Sequence, residues 1–147
     1  MKLYASSIAR GSNVPGDTGS LACVDLETGE TLGRRGTTPL PVCRVDANPR
    51  GGTRGWRGLV VDGEEVVVCN YDSFVHLSAD LIEVRKVVTL PFLANLHGLY
   101  RCPESGRLLA ASTRNDAVVD IDPGGELTIR HIWDWDGVHK VVRAVHG

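Results

Sequence analysis

Two short motifs, forty residues apart, hold the side chains best suited to chemistry in this sequence: Arg57-Gly58-Leu59 and His97-Gly98-Leu99. Histidine titrates near neutrality and acts as base, nucleophile or metal ligand, whereas arginine grips an anion through its planar fork. Near the C-terminus, either His139 or His146 falls at a corresponding place, and His146 is followed by Gly147 as His97 is by Gly98. This set predicts a site for a small anionic ligand, with His97 as the catalytic group and Arg57, His139 and His146 as binding groups. Asn95, Asn115 and Asp116, near His97 or in a following turn, complete the set of binding candidates. The competing reading is that His97 merely bonds a neighbouring carbonyl beneath a Gly-Leu core pair.

Such residues converge only if the elements carrying them repeat. Short β-branched runs such as Val66-Val67-Val68, Val87-Val88 and Val118-Val119 are closed off by Gly, Pro, Asp or Asn, and no window shows a 3.6-residue apolar stripe. Strand and turn signals every 8 to 12 residues or so predict an all-β fold. CVDLETGETL (Cys23–Leu32), VHLSADLIEV (Val75–Val84) and VDIDPGGELTI (Val119–Ile129) share one grammar of strand, tight turn and strand, anchored on Leu26, Leu77 and Ile121. Upstream, Lys2–Ser7, Glu65–Asn70 and Arg107–Ser112 match, and the Arg57 and His97 motifs open the second and third copies.

Each full unit is therefore four strands, the size of a propeller blade. The sequence predicts one domain over 1–147, a β-propeller arc of about three four-stranded antiparallel blades, with units at about 1–36, 57–90 and 97–135 and a basic loop at 34–57. The first copy starts at its second strand; residues 138–145 supply one more innermost strand, or His146-Gly147 opens a further motif. Closed rings have about 4 to 8 blades. The arc is thus expected to be completed by a second copy, whose C-terminal strand supplies the missing inner strand, or by the remainder of a longer polypeptide.

Asn95–Trp135, NLHGLYRCPESGRLLAASTRNDAVVDIDPGGELTIRHIWDW, resembles a blade of the six-bladed arylsulfotransferase-like and lactonase-like propellers. It carries their order of a channel His, G-x-L-L-x-x-S, N-D-x-V-x-x-I-D, Gly and a closing Trp. The resemblance covers about 40 residues well and a second unit weakly. The first group implies sulfuryl transfer through a channel histidine, with His97 and Arg57 matching in type and position. The second implies hydrolysis with a divalent metal such as calcium held by Glu, Asn and Asp; Asn115 and Asp116 are the nearest matches, and no Glu stands at the corresponding place.

Other features read as structural. Asp72 and Asp116 fall in equivalent hairpin turns, where Asx side chains bond their own backbone. Arg34, Arg35, Arg44, Arg50, Arg54 and Arg57 face a single acid, Asp46, in a Gly- and Pro-rich stretch with Trp56. It reads as a solvated excursion between units, or as the binding surface of a non-catalytic interaction scaffold. With 16 basic against 18 acidic residues the net charge of -2 gives no global pull toward nucleic acid, and no apolar run approaches the ~20 residues of a membrane span. Asp17-Thr18-Gly19-Ser20 matches the aspartic-protease tetrapeptide, but its Gly- and Pro-containing approach predicts a loop and turn. Cys23, Cys43, Cys69 and Cys102 form no CxxC pair, which predicts reduced, buried thiols and a cytoplasmic protein.

Overall fold

The alternation of valines in the middle of the chain explains its architecture. Val66 and Val68 project into one apolar core and Val67 into another, so the strand that carries them is covered on both sides. The computed structural model describes residues 1–8, 19–36, 56–89, 93–122, 127–135 and 140–145, the last two segments as backbone. Among these residues the protein is all-β and forms three antiparallel sheets.

Sheet 1 has the order β1 (Lys2–Ile8), β2 (Gly19–Asp25) and β3 (Thr31–Gly36). Sheet 2 is a four-stranded meander of β4 (Gly58–Asp62), β5 (Glu65–Cys69), β6 (Ser73–Ser78) and β7 (Val84–Thr89). Sheet 3 runs through β8 (Leu96–Arg101), β9 (Leu108–Ser112), β10 (Ala117–Ile121), β11 (Leu127–Trp135) and β12 (Lys140–Val145). Residues 140–145 thus pair with β11 as the fifth, edge strand of sheet 3 and do not open a further unit. Among the described residues, the expectation of four strands per unit holds for sheet 2 alone. Gly19 and Ser20 open β2 rather than ending a turn, while Asp17 and Thr18 lie outside the described residues.

One hairpin pairing recurs in the three sheets, and it moves the first anchor from Leu26 to Val24. Leu3 pairs with Val24, Val66 with Leu77, and Leu108 with Ile121. Val24 therefore corresponds to Leu77 and Ile121, and Leu26 lies beyond β2 at 46% exposure. Both Leu26 and Val24 fit the strand grammar in one dimension; only the pairing separates them.

Sheet 2 has a front face toward sheet 1 and a rear face toward sheet 3, and the faces of sheets 1 and 3 are named in the same sense. Leu21 and Cys23 at the rear of sheet 1, with partly buried Tyr4, pack on Val66, Val68, Val75 and Leu77 at the front of sheet 2. Val67, Cys69 and Phe74 at the rear of sheet 2 pack on Leu96, Leu108, Ala110 and Val119 at the front of sheet 3. Burying one such Val, Leu or Phe side chain contributes about 1.5–3 kcal/mol. Two clamps tie sheet 1 to the turn between β6 and β7. Arg35 donates from Nη1 to the carbonyls of Leu81 (3.2 Å) and Ile82 (2.7 Å), and the Tyr4 hydroxyl donates to the Ala79 carbonyl at 2.8 Å.

Burial, together with the Cys23 side chain, pushes the Tyr4 phenol up to about 12. Its folded value lies above the ordinary one, so its contribution to stability is complete below pH 10 and is lost as pH rises from 10 through 12. Thermal melts in that window should show wild-type stability falling more steeply than that of Tyr4→Phe; parallel curves would contradict this.

Candidate functional site

Sheets 2 and 3 meet where their first strands, β4 and β8, touch, and the two sequence motifs lie there. A Cβ added at Gly58 would stand 2.7 Å from the Leu99 amide nitrogen, 2.8 Å from the Gly98 carbonyl carbon and 3.0 Å from Cys69 Sγ. Gly58 thus permits β4 and β8 to approach. Gly98 serves a different need. It has φ +60° at a bulge where the β8–β9 register shifts between His97 and Leu99. A bulge of this kind re-aims the neighbouring side chain. One apparent motif glycine therefore provides clearance at Gly58 and a left-handed backbone at Gly98.

Across this seam the Arg57 guanidinium meets the His97 imidazole: Nη1 lies 3.2 Å from Nδ1 and in contact with Nε2. Both residues are half-buried. Because guanidinium only donates, the imidazole nitrogen it meets accepts through a lone pair. Cys69, beneath the seam, has its thiol pushed up to about 11 by burial, so it is no thiolate nucleophile at neutral pH.

The remaining candidates gather at the same end of the sheets. Asn95 precedes β8 with φ +57°, and its carbonyl accepts from the Thr113 amide (3.2 Å) and the Thr113 hydroxyl (3.0 Å). Asn115 donates from Nδ2 to the Ser112 hydroxyl at 3.1 Å, and Asp116 holds the turn with φ +46°. Asp72 and Asp116, equivalent in sequence, differ in surroundings. Asp72 is wholly buried and accepts from the Ser73 hydroxyl at 2.6 Å, whereas Asp116 is exposed. No group of three or more His, Cys, Asp or Glu side chains arranged to hold a metal occurs among the described residues. His139 and His146 lie outside those residues.

Sequence reasoning missed two residues at this end. Arg114 donates to the Tyr71 hydroxyl at 3.0 Å, and the Tyr71 carbonyl accepts from the Leu96 amide at 3.0 Å. The β5–β6 turn is thereby tied to the start of β8, beside His97. Both residues were legible as turn residues; their meeting across two sheets was not.

At the opposite end, Arg101 of β8 reaches Asp62 and Glu65 of sheet 2 at 3.3 Å each, and Glu65 also meets His76 Nδ1 at 3.1 Å. His76 was not among the predicted histidines. It sits in mid-strand on the rear face of sheet 2, bound to the carboxylate that anchors Arg101.

The basic run is divided between different parts of the fold. Arg34 and Arg35 belong to β3, Arg57 belongs to the seam, and Arg44, Arg50 and Arg54 lie outside the described residues. Trp56 is 4% exposed in the core between sheets 1 and 2, which removes it as a stacking platform. Cys23 and Cys69 are buried free thiols, as expected; Cys102 is a free thiol that is partly exposed, and Cys43 lies outside the described residues. No helix among the described residues is long and apolar enough to cross a membrane.

No model of a known protein family matches this sequence, and no curated protein matches it.

Proposed function

We propose that this chain is an arc of consecutive propeller-type blades and that the β4–β8 seam is its site for a small anion. The observation that carries the reading is the contact of Arg57 with His97, which joins two motif residues from successive sheets. An arriving sulfate or carboxylate draws the guanidinium into a two-point pair and frees the imidazole lone pair. With an aryl sulfate, the His97 nitrogen forms a bond to sulfur as the sulfur–oxygen bond to the aryl group breaks and a phenolate departs. An acceptor hydroxyl then takes the sulfuryl group, its proton passes to water, and the imidazole is restored. Hydrolysis of the lactonase kind is the neighbouring reading, and its metal finds little support in the turn formed by Asn115 and Asp116. The interaction-scaffold reading is weakened by Trp56 and Arg35, which are engaged inside the fold. A second copy or further sequence completes the arc, and the free thiols fit a reducing compartment such as the cytoplasm.

Calorimetric titration with inorganic sulfate and with nitrophenyl sulfate tests this. Arg57→Met and His97→Ala should each weaken binding by at least about tenfold, roughly 1.4 kcal/mol, with little change in melting temperature. Unchanged affinity in both variants would overturn the proposal, as would a wild type that binds neither anion.

A further inference from the structure

Both apolar interfaces between the sheets follow one rule: the rear face of one sheet packs on the front face of the next. Applied to sheets 1 and 3, the rule leaves two faces unmatched among the described residues. One is the front of sheet 1, with Leu3, Ala5 and Val24; the other is the rear of sheet 3, with Leu109, Ala111 and Val118. The registers make them counterparts of buried positions. Leu3 and Ala5 occupy the places of Val66 and Val68, while Leu109 and Ala111 occupy those of Val67 and Cys69. Yet Leu3 is 47% exposed, and Ala5 and Ala111 are exposed too.

We infer that the rear face of sheet 3 in one copy packs on the front face of sheet 1 in a second copy. The inference rests on reading the sheets as consecutive units of one repeat. It extends the two interfaces already inside the chain, with aliphatic Leu3, Val24, Leu109 and Val118 at the corresponding positions. The polar position on the rear of sheet 3 is already provided for, because Asp120 is 2% exposed and accepts from Arg107 Nε at 2.6 Å. Covering that face therefore leaves no bare carboxylate. The contact is head to tail between unlike surfaces, and a two-fold axis lets two copies cover both faces at once and close.

Ala5→Cys and Ala111→Cys, made in separate full-length chains, mixed and oxidised, test the arrangement, with the joined peptides identified by mass spectrometry. Because Cys102 is partly exposed, only junctions containing position 5 or 111 are scored. The expected result is a 5–111 junction in the mixture and, for wild type, a light-scattering mass twice that of one chain. Leu3→Lys, at an exposed position, should keep its circular dichroism and weaken self-association by at least about tenfold. A 5–5 or 111–111 junction overturns the inference, and so does a wild-type mass of one chain. If that single chain still binds sulfate, the anion site stands without the interface.

Discussion

Gly58→Val should unfold the seam on which the site depends. Its first side-chain atom would meet backbone of β8 at 2.7 and 2.8 Å, and neither contact is the end of a flexible side chain. Overpacking that cannot relax costs about 3 kcal/mol or more. In a domain of this size that lowers the melting temperature by roughly 6–12 °C. Sulfate binding should fall as well, since β4 carries Arg57 to His97. Gly98→Ala provides the contrast. There is open space around that position, so the cost is the left-handed backbone alone, about 1–2 kcal/mol for φ +60°. Differential scanning calorimetry ranks the two; equal losses would contradict the account of the seam.

Phe74→Ala is the second large effect. Phe74 is wholly buried where sheet 2 meets sheet 3, and its removal leaves a cavity among Leu93, Leu96 and Val119. Truncating a buried Phe costs about 3–5 kcal/mol, a large part of the ~5–15 kcal/mol that holds a domain folded. Urea unfolding should show the midpoint falling sharply, whereas Leu26→Ala, at a 46% exposed position, should leave it almost unmoved. A small shift for Phe74→Ala would mean that the two sheets are not packed as described.

Local strand chemistry was legible in the sequence because it is written in neighbours. The β-branched runs and their turn residues specify hairpins, and the repeated hairpins specify repeated sheets. What was illegible depends on pairing at long range. Leu26 and Val24 both satisfy the pattern, and the partner strand chooses Val24. Trp56 follows a basic, Gly-rich stretch, yet its indole fills the core behind sheet 1. The placement of residues 140–145 turned on which edge was available, which periodicity does not encode. For the candidate site, the Arg57 and His97 motifs were visible as a repeat, but the separate duties of their glycines required both strands to be in view. His76 was passed over because a histidine in mid-strand has no local signature, and its meaning comes from Glu65 and Arg101.

The contact of β4 with β8 is what brings Arg57 to His97, and one nuclear Overhauser measurement reads it directly. With Gly58 facing the Leu99 nitrogen, the Gly58 α-protons should give a strong cross-peak to the Leu99 amide proton. If those protons instead show contacts only within their own sheet, the two motifs do not meet and the anion site is lost.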